Sequence, residues 1–154
     1  MYESIKESAK SYNEQQENRR NQLSFWHRIK SIEVVNILIN VVNETNLNWK
    51  VTQPDGVPGA AVDLVFDDRE SGHFYKNSNS LIKTTCKGGR LRFRQAYNGR
   101  IVAEFLSHYD EVFKIDQERK MIADHATSEL NETRVLEIVD EFLKLMIAWE
   151  ESFH

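Results

Sequence analysis

The stretch from Ser80 to Leu106, SLIKTTCKGGRLRFRQAYNGRIVAEFL, decides the fold. Apolar and polar residues alternate through it, the period of a half-buried strand, and two glycine-bearing points interrupt the alternation. Adjacent glycines supply positive φ without steric cost, so Lys87-Gly88-Gly89-Arg90 predicts a tight hairpin turn. With Gly88 and Gly89 as the loop, Cys86 faces Leu91, Thr84 faces Phe93 and Ile82 faces Gln95, while Lys83, Thr85, Arg92 and Arg94 fall on the other side. The second interruption is Tyr97-Asn98-Gly99. A three-residue loop with Gly99 in the left-handed position sets Phe93 opposite Ala103, Leu91 opposite Phe105 and Arg92 opposite Glu104, which keeps apolar with apolar.

Working outward, short strands are expected at Asn48 to Gln53, Ala60 to Phe66, Arg100 to Leu106, Glu111 to Ile115 and Met121 to His125. Pro54 to Gly59 reads as a loop, and Asp67 to Asn79 as a polar connection with a short pairing at Phe74-Tyr75. Asp116 to Arg119 reads as the turn between the last two strands. Upstream, Leu23, Trp26, Ile29, Val34, Ile37, Leu38, Val41 and Val42 recur at helical steps. Downstream, Asn131 is placed as the N-cap of a long helix striped by Val135, Ile138, Val139, Phe142, Leu145, Met146 and Trp149, with Leu136, Leu143 and Ile147 on its flanks. The sum is an α+β domain: an antiparallel meander sheet of about 6–7 strands, preceded by an amphipathic helix and closed by a long C-terminal helix. Residues 1–22 are almost wholly polar and read as a mobile arm ahead of a single domain at 23–154.

The chain has 154 residues and a formal net charge of −4. That mild figure hides an uneven distribution. Residues 1–75 carry a net −3, residues 76–100 a net +7 with no acidic residue, and residues 104–154 a net −8. No apolar run approaches the roughly 20 residues that span a bilayer, so no membrane role is expected. Cys86 is the only cysteine, which excludes an intrachain disulfide and suits a reducing, cytoplasmic compartment.

The basic block supplies the main functional expectation. Arg90, Arg92 and Arg94 stand at period two, about 6.6 Å apart on one strand face. Lys83 is expected beside Arg94, with Lys87 and Arg100 at the tips. Guanidiniums in a row suit carboxylates or phosphates, because each offers a planar fork of donors. The leading reading is therefore a non-enzymatic binding or regulatory protein, of adaptor, inhibitor, immunity or accessory-subunit type. It would dock an acidic protein surface through Lys83, Lys87, Arg90, Arg92, Arg94 and Arg100. The competing account makes this a solvated face whose arginines pair with the chain's own acids, Arg92 with Glu104 among them. Nucleic-acid binding through the same hairpin is an alternative, although the pI of 5.8 lies far below that of a typical nucleic-acid domain. A second alternative is a pocket for an apolar small ligand under the C-terminal helix, lined by Trp26, Trp49 and Trp149. The helices also offer a homodimer contact.

Catalytic and metal signals are weak. The acids Asp63, Asp67, Asp68 and Glu70 lack the spacing of a calcium loop and read as a polar segment after a strand. The five histidines form no zinc spacing, and no nucleophile elbow, phosphate loop or dinucleotide fingerprint occurs. Cys86 alternates inward and reads as a small core residue. No cofactor, metal or catalytic residue is assigned, and the reading leans away from an enzyme.

Overall fold

The computed structural model describes residues 1–54 and 61–152, so the loop expected at Pro54 to Gly59 lies, apart from Pro54, outside the described residues. Helix α1 (Tyr2–Phe25) runs through a five-residue π turn (Trp26–Lys30) into α2 (Ser31–Glu44). The polar segment at 1–22 is therefore helical, as its glutamate, lysine, glutamine and arginine content favours, yet no residue of α1 is buried. Among the described residues its hydrogen bonds to the sheet lie near its C-terminal end. Arg19 Nε donates to the Tyr97 carbonyl at 2.6 Å, and Gln95 Nε2 donates to the Gln22 carbonyl at 3.1 Å. The π turn inserts one residue into the helical repeat. It turns Trp26 into the core together with Val34 and Leu38, while Ile29, which the repeat places on the apolar stripe, is 48% exposed.

The described residues form six strands: β1 (Trp49–Thr52), β2 (Ala61–Phe66), β3 (Arg69–Asn77), β4 (Ser80–Gln95), β5 (Ile101–Tyr109) and β6 (Arg119–His125). The order across the sheet is β1-β2-β4-β5-β6, all antiparallel, with β3 also paired to β4. A short turn at Thr127–Glu129 leads to α3 (Glu132–Glu151). Asn131 caps α3 as its sequence predicts, its side chain accepting from the Arg134 amide at 2.8 Å. The fold is α+β.

The hairpin expected at Gly88-Gly89 does not form. Strand β4 runs straight through both glycines, and the chain reverses instead at Ser78-Asn79, where Asn77 pairs with Ser80 and Ser78 has a φ of 55°. Val65 pairs with Arg90 and Arg69 with Cys86, so β2 and β3 follow one another along the same side of β4. Most of the polar connection after Asp67 is thus strand β3. The glycines serve a mid-strand kink, with φ of +76° and +73°. Burial changes phase there: Thr84, Cys86 and Gly88 are buried, then Gly89, Leu91 and Phe93. A Cβ on Gly89 would stand 2.6 Å from the His108 ring, and one on Gly88 2.7 Å from the Gln117 amide. The second turn follows the expected register. Gly99 has a φ of +88°, Phe93 pairs with Ala103, Leu91 with Phe105 and Arg92 with Glu104.

Glu111 to Ile115 is not a strand. Asp110 bridges Ile115, and its carboxylate accepts from the amides of Val112 and Phe113, which closes the segment into a turn. Helices α2 and α3 cover one sheet face. Val34, Leu38, Ile138 and Phe142 pack there against Leu64, Leu91, Phe93 and Phe105, with Trp26, Trp49 and Trp149 in the same cluster.

Two glycine substitutions separate backbone strain from crowding. Gly72 also has positive φ, +82°, but nothing lies within 4 Å of its would-be Cβ. Gly72→Ala is expected to cost about 1 kcal/mol from strain alone, and Gly89→Ala about 3 kcal/mol because overpacking against His108 adds to it. Urea unfolding measures both, and equal costs would contradict the close packing of His108 over Gly89.

Candidate functional site

The face of the sheet turned away from the helices carries the arginines, since Arg90, Arg92 and Arg94 alternate with the core residues Leu91 and Phe93. They are not free. Asp63, on the neighbouring β2 and directly opposite Arg92, is fully buried. Its Oδ1 accepts from Arg92 Nε at 2.8 Å, and its Oδ2 from Arg92 Nη2 at 2.8 Å and Arg90 Nη1 at 3.0 Å. Glu104, 4% exposed, takes Arg94 Nε on Oε1 at 2.6 Å and Arg119 on Oε2 through Nη2 at 2.6 Å and Nε at 3.0 Å. The expected Arg92 to Glu104 pair is replaced by this diagonal arrangement. Burial pushes the Glu104 carboxyl up, but the hydrogen bonds and charges of Arg119 and Arg94 outweigh it and hold the group below the ordinary carboxylate range.

Four guanidiniums on two carboxylates leave a formal excess of two positive charges on this face. The other basic residues of the block continue this cluster rather than join its ion pairs, with Lys83 and Lys87 further along β4 on the side away from the buried Thr84 and Cys86, and Arg100 beyond Arg94. Lys83 Nζ stands 3.4 Å from Glu70, Arg100 Nε stands 2.7 Å from Asp124, and Lys87 is exposed beside the glycine kink with no ion pair among the described residues. The basic hairpin is therefore a basic strand with an acidic inlay. Asp63 and Arg119 were missed by the sequence reading. A charged residue between Val62 and Leu64 was the one signal for Asp63, and no local pattern marks Arg119.

On the helix side, a cleft of about 640 Å³ opens between α3, the β2–β3 junction and the segment before β1. Its apolar wall is Leu47, Phe66, Leu143, Met146 and Ile147. None of the three tryptophans lines it, because they pack into the core. Phe66 stacks on Trp49 at 5.2 Å and on Phe142 at 6.0 Å, and its ring lies 5.7 Å from that of His108. His108 lines the cleft, is 2% exposed, and its Nδ1 meets no hydrogen-bond partner among the described residues. Burial lowers the His108 pKa below its ordinary value, and the Arg69 charge adds to this, so the ring is neutral near pH 7. At the mouth Arg69 pairs with Glu150, beside Asp67 and Asp68. Cys86 lies behind Arg69. Burial pushes its thiol up, against the pull of Arg69, as suits a core residue rather than a nucleophile.

Among the described residues no group of histidine, cysteine and acidic side chains is placed to hold a metal ion, and no helix is long and apolar enough to cross a membrane. Comparison with protein-family models, with curated proteins and with solved structures finds no match to this chain.

The buried Glu104 carboxylate contributes to the acid limb of stability. A carboxyl whose folded pKa is depressed contributes stability above its unfolded value, here about 4.5, and loses it as pH falls through the folded value. Glu104→Gln is expected to lower stability at pH 7 and to flatten the loss below about pH 4.5 in denaturant titrations. An unchanged acid limb would contradict the pairing. Asp63→Ala strands two arginines over an apolar floor and is expected to cost about 3 kcal/mol.

Proposed function

We propose that the protein is a non-enzymatic binding protein whose ligand is a small molecule with an apolar body, held in the cleft beneath α3. The observation that carries the reading is the cleft itself. Its volume falls within the range of small-molecule sites, and an apolar wall with a few polar groups at one end is their usual lining. Helix α3 supports it from the sequence side. Val135, Ile138 and Phe142 are used up in the core, yet Leu143 and Ile147 on the flank keep an apolar surface, with Ile147 58% exposed. The arginine face is a weaker candidate, because its guanidiniums already satisfy two buried carboxylates.

The uncharged dye Nile red is the probe. The native chain is expected to bind it saturably, with Ile147→Asp weakening binding at least about tenfold, since a carboxylate then projects into the apolar wall. Ile147 is exposed, so the fold survives the change. Absence of saturable binding, or binding indifferent to Ile147→Asp in a folded variant, would sink the proposal.

A second reading rests on the excess of two positive charges over Asp63 and Glu104. In it, an acidic protein surface docks on the arginine face, with nucleic acid as the competing polyanion. Arg90, Arg92 and Arg94 also hold buried carboxylates, so the discriminating variant is Lys83→Glu with Lys87→Glu, both exposed. Polyglutamate binding at low salt, weakened by salt and by this variant, is the expected outcome. No retention of polyglutamate would remove the acidic-partner reading, and tighter retention of DNA or RNA would transfer the face to nucleic acid.

A further inference from the structure

Resting on the reading of the cleft as a ligand site, we infer that its ligand is an amphipathic amine: an aliphatic or aromatic body against Phe66, Met146 and Ile147, with an ammonium group at the acidic mouth. Three observations point the same way. The first is the charge at the opening. Asp67, Asp68 and Glu150 stand there against one cation, Arg69, a formal net of −2. Arg69 is engaged by Glu150, whereas among the described residues no ion pair reaches Asp67 or Asp68. Two carboxylates beside an apolar cleft, without a cation of their own, favour a ligand that brings one.

The second observation is how the apolar and charged parts are separated. Phe66 is the last residue of β2, and Asp67 and Asp68 follow it directly before β3 begins at Arg69. The chain therefore passes from apolar wall to acidic rim within one residue. The Asp67 amide donates to the Asn48 carbonyl at 2.8 Å, which fixes the rim against the segment before β1. A ligand whose cation and apolar body are adjacent in its own structure matches that spacing. An anionic amphiphile would set its charge against Asp67 and Asp68 and would have to displace Glu150 to reach Arg69.

The third is the inner wall. The His108 ring is buried there and packs closely over Gly89. Because the imidazole is neutral, it adds no positive charge to oppose an ammonium group at the mouth.

Calorimetry with octylamine, octanol and octanoate tests this, since the three share one chain length and differ in head-group charge. Octylammonium is expected to bind about tenfold tighter than octanol, with octanoate weakest. In the Asp67→Asn/Asp68→Asn variant the order is expected to collapse while octanol affinity stays unchanged. Equal binding of all three by the native chain, or a preference for octanoate, overturns the amine and leaves the apolar cleft standing. Binding of none overturns the cleft reading as well.

Discussion

Two glycines in the middle of one strand hold the architecture together. A sixteen-residue strand with a single alternating phase would show one face throughout, but at Gly88 and Gly89 the positive φ values shift the phase by one residue. Beyond the kink, β4 is flanked by β2 and β5 and carries the core on one face and Arg90, Arg92 and Arg94 on the other. Before it, β4 pairs with the exposed β3. The register places residues 66–68 across from 87–89, between the pairs Val65 with Arg90 and Arg69 with Cys86. The break between β2 and β3 is thus the partner strand's answer to the kink. That break sets Asp67 and Asp68 at the mouth of the cleft, and the room left by the missing Cβ admits the His108 ring. The cleft and the arginine face are consequences of one backbone event.

The arginine face shows why a charge census along a chain does not describe a surface. A block at +7 between acidic flanks suggests a free cationic patch. In the sheet its central arginines meet Asp63, supplied by β2, and Glu104, supplied by β5. Each carboxylate is buried beneath guanidiniums that keep their outer edges in water, with the Arg90 and Arg92 side chains 31% and 26% exposed. Such pairs add little net stability compared with apolar residues of the same shape, because desolvation offsets the attraction. Their effect lies in register. If β2 slid by one residue along β4, Asp63 would leave its arginines and enter the apolar side, while Val62 and Leu64 would move out of the core.

The turns divide into one that was legible and one that was not. Asn98-Gly99 was readable because a single glycine must take the left-handed position, and only one loop length then kept Phe93 and Leu91 against apolar partners. Gly88-Gly89 was misread because a reversal and a phase shift leave the same trace in sequence. In both, Thr84 and Cys86 face inward before the glycines, and Leu91 and Phe93 face inward after them. What distinguishes the two is the identity of the neighbouring strand, and β2 lies more than 20 residues upstream. Ser78-Asn79, where the chain does reverse, lacks a glycine, so the composition signal pointed elsewhere. The N-cap and the apolar face of α3 were legible, since they depend on contacts within a few residues, whereas the cleft depends on where a flank left over by the core meets a break in the sheet.

That dependence bears on how a ligand would be held. The apolar wall is built from residues with fixed supports: Phe66 stacks between Trp49 and Phe142, and Met146 is buried on α3. Binding then orders little that is not already ordered, and apolar contact is not offset by a large conformational cost. The mouth is different, because Arg69 and Glu150 are long side chains, 47% and 40% exposed, paired with each other. A surface pair of this kind is worth little and exchanges readily. An entering cation can take Glu150 from Arg69 without breaking anything that holds the fold, and Arg69 then turns to solvent. For such a ligand, selectivity would come from the rim, where exposed side chains can re-pair, and affinity from the packed wall behind it.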